Sequence, residues 1–202
     1  TERMKPSFAA LAPVFMASCL SLLSVHAEQP ADPPPATPKA AGEDELNAGV
    51  ELVKQKKYKE ALERFKAAVE KGNLTALHNV GIFYMSGTGV QQDINKSVEC
   101  FQKAAEKGQP SAQVQLAKML IAGQGLKQDV AAGMQWLIEA VEAKSPEAMM
   151  CLGNLYKEGK DRDGNGPVPR DLAEYANWNR KAADLGNAEA QYQMGLVCLN
   201  GL

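Results

Sequence analysis

A short run of oxygen-bearing side chains lies near the C-terminal end of the chain. Asp161, Asp163 and Asn165 alternate with other residues, and Gly166 follows them. This is the pattern of the first half of an EF-hand loop, in which side-chain oxygens at alternate positions converge on one hard cation. The twelfth position should hold a bidentate glutamate, but it is Leu172. Two predictions therefore stand side by side, a calcium site at these three residues and a polar inserted loop without a metal.

The sequence offers little else for chemistry. His78 is the only histidine apart from His26, which ends an apolar N-terminal stretch. No serine or cysteine stands in a recognisable triad context, and no cysteines and histidines have the spacing of zinc ligands. We therefore predict no enzymatic activity, no small-molecule substrate, and no cofactor other than calcium at the acidic loop.

One helix-turn-helix unit recurs along most of the chain. Ala76, Ala112 and Ala148 follow one another at steps of 36 residues, and Ala190 follows at a step of 42. The six additional residues come after Gly159 and contain the acidic run. Because a single unit of this size cannot bury its apolar face alone, a fixed period of this kind is typical of an α-solenoid.

Each unit is predicted to contain two helices. The first helix has a small residue at its middle, which lets the paired second helix approach closely; these residues are Gly81, Ala117, Gly153 and Gly195. Glycine after the last turn ends the first helix. Aspartates then provide the N-caps of the second helices, at Asp93, Asp129 and Asp171.

These units resemble Sel1-like repeats (SLR), which are close relatives of tetratricopeptide (TPR) repeats. The matching segments are VGIFYMSGTGVQQDINKSVECFQKAAEKG, LAKMLIAGQGLKQDVAAGMQWLIEAVEAK, and LGNLYKEG followed by RDLAEYANWNRKAADLG. Three residues depart from the family pattern, namely Ala117 at the helix glycine, Cys100 at the tryptophan and Lys144 at the terminal glycine. The resemblance implies an all-α, right-handed α/α solenoid that acts as an adaptor, a regulator or a host-interaction factor.

Three segments are predicted before the repeats. From Met4 the chain has the layout of a secretory signal peptide over residues 1–27, with cleavage after Ala27. A proline-rich linker over 28–44 and a TPR-like helical pair over 45–73 follow. Two alternatives stand for the N-terminal run, an uncleaved membrane anchor and a lipoprotein with its lipid on Cys19.

The repeat units themselves are predicted at residues 74–109, 110–145 and 146–187, with an inserted loop at 160–166 and a partial unit at 188–202. The formal net charge of −2 gives no electrostatic case for nucleic-acid binding. Cys100, Cys151 and Cys198 do not share a repeat position, so we predict thiols that fill small core spaces and no disulfide framework.

In a solenoid of this type the first helices line the concave face. Counting −3, +1 and +4 from the small mid-helix residue selects a predicted binding surface, which comprises His78, Ile82, Met85, Val114, Lys118, Ile121, Met150, Asn154 and Lys157. This surface is mostly apolar, with two lysines and flexible methionines, which suits an amphipathic or partly acidic peptide. For Ile82 and Ile121 the alternative is packing between units.

These observations together predict an exported bacterial protein, periplasmic or secreted, that binds a protein or peptide partner in the cell envelope. Two alternatives are a secreted virulence or host-interaction factor and a membrane-anchored scaffold for an envelope complex. Fractionation into periplasm, medium and membrane separates the three.

Overall fold

The described part of the protein is a row of antiparallel helices. A computed structural model describes residues 41–159 and 168–199, and within these ranges it has nine helices and no strand. The helices are α1 (Glu43–Lys54), α2 (Tyr58–Glu70), α3 (Leu74–Ser86), α4 (Ile94–Glu106), α5 (Pro110–Ala122), α6 (Val130–Glu142), α7 (Pro146–Glu158), α8 (Leu172–Asp184) and α9 (Ala188–Leu199). Each packs against the next along the chain, and α5 also contacts α7. The predicted all-α solenoid is confirmed.

Several predicted features lie outside the described residues. They are the leader over 1–27, nearly all of the linker, and the acidic loop with Asp161, Asp163 and Asn165. The linker was predicted to reach residue 44, whereas α1 already begins at Glu43. An acidic first turn favours an early start, because negative side chains stabilise a helix N-terminus.

The ends of the helices follow the predicted punctuation. The side chains of Asp93 and Asp129 accept hydrogen bonds from backbone N–H groups at 3.0 and 2.9 Å. Asp171 accepts from two such groups. Gly87, with a φ of 70°, ends α3 in the left-handed conformation that favours glycine. The first helices have caps that the sequence analysis did not identify, at Asn73, Gln109, Ser145 and Asn187.

The core consists of side chains from the second helices set against the first helices. Phe65, Phe101 and Leu137 occupy it from α2, α4 and α6, and Phe101 and Leu137 are fully buried. In α8 the position of Leu137 is taken by Asn179, which is also buried and whose Nδ2 donates to the Tyr175 carbonyl oxygen at 2.8 Å. That internal hydrogen bond offsets the cost of burying an amide.

The mid-helix glycines lie where first and second helices touch. A Cβ at Gly49 of α1 would lie 2.5 Å from the Phe65 ring, and one at Gly81 would lie 2.7 Å from the Phe101 ring. At Gly153 the nearest atom would be Asn179 Nδ2, at 2.9 Å. The predicted reason for the mid-helix glycines, the close approach of the paired helix, is therefore confirmed at Gly81 and Gly153, whereas a Cβ at Gly195 would have no neighbour within 4 Å among the described residues.

The second unit reaches the same close approach by a different arrangement. Its first helix has Ala117 in place of glycine, and its second helix has Gly133 instead. A Cβ at Gly133 would lie 2.6 Å from Ile121 Cγ1 and 3.0 Å from the Ala117 carbonyl oxygen. The small residue has thus moved across the interface from α5 to α6, which explains how this unit tolerates the missing family glycine.

The helices of the described residues are short. None of those in 41–159 or 168–199 is long and apolar enough to cross a membrane.

Candidate partner-binding surface

A line of side chains on the first helices keeps exposed surface in the described part of the chain. On α1, α3, α5 and α7 these side chains lie at −6, −2, +1 and +5 from the small mid-helix residue, a spacing that keeps them on one face. We call this set the first-helix stripe. Its members are Glu43, Asn47, Val50, Lys54, Thr75, Asn79, Ile82, Ser86, Ser111, Gln115, Lys118, Ala122, Glu147, Cys151, Asn154 and Glu158.

An ion pair joins the stripe across two units. Lys118 Nζ of α5 lies 2.6 Å from Glu147 Oε1 of α7, and both side chains are a little over two-fifths exposed. The pair balances the charge of Lys118. The preference for a partly acidic peptide, which rested on two free lysines, therefore loses this support.

The second lysine of the predicted surface is also engaged. Lys157 Nζ lies 5.0 Å from the centre of the Tyr175 ring, within the range of a cation–π contact. Its ammonium group is drawn toward α8, the second helix of its own unit. Lys157 keeps its positive charge in this contact, but the contact directs the charge toward α8.

His78 lies at the edge of the stripe and is partly enclosed. Its ring is 5.6 Å from the ring of Phe101, and its Nδ1 is 3.4 Å from Asn79 Oδ1. Its Nε2 is buried without a hydrogen-bond partner. Burial lowers the pKa of His78, with the hydrogen bond to Asn79 acting the other way. The lowered pKa favours the neutral imidazole near pH 7.

The predicted binding residues fall into three groups, those on the stripe, one in the core and those that are partly packed, and their offset from the small mid-helix residue decides between the stripe and the rest. Ile82, Lys118 and Asn154, at +1, belong to the stripe. Val114, at −3, has no exposed surface and packs in the core, so its prediction as a partner contact is wrong. The remaining five are only partly exposed or turned toward a second helix; they are His78, Met85, Ile121, Met150 and Lys157.

Helix geometry explains the difference. At about 100° per residue, positions −6, −2, +1 and +5 lie roughly 100–160° around the helix from the small residue. Positions −3 and +4 lie only about 40–60° from it, closer to the interface with the second helix. Ile82 and Ile121 also contact the buried clusters, as the packing alternative predicted.

A row of amides on the first helices was not predicted from the sequence. Asn47, Asn79 and Gln115 share the −2 position of α1, α3 and α5. The 4-3-4 spacing of non-buried positions along each first helix is the signal that could have identified them.

A cavity opens beside this row, between α1 and α3. Its volume is about 210 Å³, and it is lined by Val50, Val53, Phe65, Asn79, Ile82 and Phe83. Val50 stands at the mouth with 39% of its surface exposed, whereas Phe65 and Phe83 form buried walls. The cavity is thus a mainly apolar recess with one amide in its lining.

The three cysteines of the described residues are free thiols. Cys100 and Cys151 are half-buried, and burial raises the pKa of both thiols, which keeps them protonated and poorly nucleophilic. Cys198 is exposed, so the expectation that it fills a core space is wrong. Within 41–159 and 168–199 no group of three or more histidine, cysteine or acidic residues is placed to hold a metal ion.

Comparison with known proteins gives one family match. The profile described as Sel1 repeat matches residues 74–109, 110–145, 146–187 and 188–202. Among curated proteins, none matches this chain.

Solved structures with the same architecture include a Sel1 repeat protein from Oxalobacter formigenes. It is 28% identical with a TM-score of 0.66, over 78% of this chain and 64% of that one. The protective antigen c5321 of uropathogenic Escherichia coli strains, which displays an SLR fold, is 32% identical with a TM-score of 0.64, over 81% and 34%. The immunity protein Pa5087 from Pseudomonas aeruginosa, at 23% identity and a TM-score of 0.62 over 80% and 61%, shares the fold. This chain therefore spans less than two-thirds of each of these structures.

Proposed function

This chain belongs to the Sel1 repeat family, and we propose that it is an exported bacterial adaptor that binds a protein or peptide partner through its first-helix stripe. Sel1 repeat proteins generally mediate protein–protein interaction, and the fold is a scaffold for such contacts. For this chain, our proposal adds two specific points to that general role, namely which surface binds the partner and in which compartment the protein acts.

The stripe is the observation that carries the proposal. Its members are exposed or half-exposed on four successive first helices, whereas many of the neighbouring positions, such as Val80, Val114 and Leu152, are buried. A surface that crosses several repeats lets one partner contact many helices at once, which is how solenoids build extended binding surfaces. The nearby cavity adds an apolar recess to an otherwise polar line.

Export is supported by the sequence before the repeats. The apolar run that ends at Val25-His26-Ala27 has small residues at the two recognition positions of a signal peptidase site, and a proline-rich spacer follows. N-terminal sequencing of the protein from its native host should find a mature chain that begins at Glu28. A chain that retains Met4, or a lipid on Cys19, would contradict soluble export.

Partner binding is tested by photo-crosslinking in the native cell. A crosslinking amino acid at Ser111 or Asn154, both on the stripe, should give one discrete adduct. The matched control is Gln135, an exposed residue of the second helix α6. Lys118→Glu, which reverses a stripe charge, should reduce the adduct without loss of helical content. Adducts from Gln135 alone would place the contact on the other face.

Host interaction outside the cell is the second candidate. It is supported by the solved relative at 32% identity, which is a protective antigen of uropathogenic strains. Recovery of the protein from the culture medium and not from the periplasm would favour this candidate over the periplasmic adaptor.

A further inference from the structure

A second cavity opens where the end of α2, the start of α3 and the end of α4 meet. Its volume is about 310 Å³, and we call it the edge cavity. Partly buried apolar side chains contribute to it from α2 and α3, namely those of Val69, Leu74 and Leu77. The other lining residues are polar, charged or glycine: Gly72, Asn73, Lys103, Glu106 and Lys107. No lining residue belongs to the first-helix stripe.

The edge cavity lies beside a repeat position where α4 has a small residue. Cys100 of α4 corresponds to Trp136 of α6 and Trp178 of α8, at steps of 36 and 42 residues. Trp178 packs in the same cluster as Val141. Two units earlier, the equivalent of Val141 is Val69, which lines the edge cavity. A tryptophan in place of Cys100 would therefore direct its ring toward Val69 and into this cavity.

The helix α8 shows the arrangement with the ring in place. Lys181 Nζ lies 4.0 Å from the centre of the Trp178 ring, which is a cation–π contact. Lys103 has the register of Lys181, whereas α6 has Glu139 there. Within the described residues Lys103 takes part in no ion pair and no cation–π contact. The first full unit thus has the cation and the apolar wall but lacks the ring between them.

The size and the charges of the edge cavity suit an aromatic ring. A cavity of about 150 Å³ with apolar walls binds benzene, so one of about 310 Å³ has room for the two fused rings of an indole. The Lys103 ammonium is attracted to the negative face of such a ring. The Glu106 carboxylate is an acceptor for the indole N–H, which is a donor only. An anion would meet the like charge of Glu106, and an aliphatic chain would leave the Lys103 cation without a partner.

We propose that the edge cavity binds a tryptophan side chain of a protein partner, with its indole ring packed on Val69 and Leu77 and beneath the Lys103 ammonium. The partner's ring is then the counterpart of the ring that Trp178 supplies within this chain. A protein is the source of the ring because Sel1 repeat proteins generally mediate protein–protein interaction. The site lies outside the first-helix stripe, so this inference goes beyond the proposed function.

Ring binding is tested with N-acetyl-5-fluorotryptophanamide, titrated into the full chain and followed by ¹⁹F NMR. The fluorine resonance should shift or broaden and then saturate. Cys100→Trp should abolish binding, because its own ring fills the edge cavity, and circular dichroism checks that this variant folds. Lys103→Gln should weaken binding about three- to tenfold, the effect of one cation–π contact. Lys181→Gln is the matched control at the same register of α8 and should leave binding unchanged.

The protein source is tested by photo-crosslinking in the native cell. A crosslinking amino acid at Lys107, an exposed residue of the cavity lining, should give a discrete adduct with another protein. The matched control is Ala143, which is exposed at the same register one unit later. The Lys107 adduct should disappear in the Cys100→Trp background. Mass spectrometry of the adduct should find the crosslink close to a tryptophan of the partner.

Each outcome decides a separate part of the inference. If the probe shows no saturable binding, or binds Cys100→Trp as well as it binds the natural chain, the edge cavity is not a ring site. If Cys100→Trp does not fold, equal binding by Lys103→Gln and Lys181→Gln leads to the same conclusion. Probe binding without an adduct at Lys107, or an adduct between two copies of this chain, would overturn the separate protein partner. The crosslinks from Ser111 and Asn154 judge the proposed function independently.

Discussion

The interior first helices and the last described one, α9, have the same repeat pattern but different surroundings. A Cβ at Gly81 would strike the Phe101 ring, whereas at Gly195 of α9 nothing lies within 4 Å among the described residues. Val114 of α5 has no exposed surface, but Tyr192, at the same register of α9, is 62% exposed. The repeat pattern therefore identifies the positions of a first helix, here the small residue and the −3 position, against which a second helix can pack. Its contribution to stability depends on whether one does.

The largest predicted difference concerns the −3 register. Val114→Asp should lower the free energy of unfolding by about 4 kcal/mol or more, because a carboxylate would be buried without a partner. Tyr192→Asp should change it by no more than about 0.5 kcal/mol, the usual range for an exposed site. Urea unfolding monitored by circular dichroism measures both. If Val114→Asp left the free energy of unfolding unchanged, Val114 could not be buried in the core and would again be a candidate partner contact.

The mid-helix glycines should differ next. Gly81→Ala should lower the free energy of unfolding by up to about 2 kcal/mol, because overpacking against the buried Phe101 ring costs about 1–3 kcal/mol and the better helix propensity of alanine offsets about 1 kcal/mol of that. Gly195→Ala has no such contact and should stabilise the chain by up to about 1 kcal/mol. Equal effects at the two sites would show that close approach is not the reason for the glycine at Gly81.

A double variant sharpens that comparison, since the second unit pairs Ala117 with the smaller Leu137. Combining Gly81→Ala with Phe101→Leu should cost at least about 0.5 kcal/mol less than the sum of the single changes. Additive effects would mean that the ring of Phe101 is not what opposes the new methyl group.

The third prediction concerns His78, the histidine of the −3 register. Burial lowers its pKa in the folded protein, so the unfolded state binds the proton more readily. Stability should therefore be flat near pH 7 and fall as the pH drops below about 6.5, the ordinary pKa of histidine, with a slope of at most about 1.4 kcal/mol per pH unit. Comparing urea midpoints with those of His78→Gln, which should lack this component, measures the effect. An unchanged slope in the variant would assign the acid sensitivity to other groups.

The smallest effect is expected for the Lys118–Glu147 pair. Both side chains are substantially exposed, so Lys118→Ala should cost no more than about 1 kcal/mol, and the difference should shrink in high salt. Thermal melts at low and high salt provide the measurement. A larger, salt-insensitive loss would mean that the pair holds α5 against α7 as firmly as the apolar contacts do.

Much of the fold could be predicted from local rules. The aspartate caps at Asp93, Asp129 and Asp171 and the glycine stops follow from the chemistry of helix ends, which depends on a few neighbouring residues. The pairing of Ala117 with Gly133 could not be predicted in this way, because the two residues belong to different helices and come into contact only when those helices pack.

The candidate surface divides in the same way. The +1 position was identified correctly because it lies on the exposed side of any first helix in this packing. The −3 and −2 positions differ by a single residue, yet Val114 is buried and Gln115 is part of the stripe. The predicted positions (−3, +1 and +4) and the stripe positions (−6, −2, +1 and +5) are centred about 60° apart around the helix axis. The identity of a single residue does not reveal which of the two sides faces solvent.

The sequence by itself determined that this chain is a Sel1-type α-solenoid, where most of its helices begin and end, and which helices come first in each unit. These properties follow from periodicity and capping, which are local. Only the tertiary structure decided which side of each first helix is free, where the cavity between α1 and α3 opens, and that Gly195 has no neighbour within the described residues. Burial is the reason, because it is set by the helices that pack against a residue and not by the residue's own neighbours in the chain.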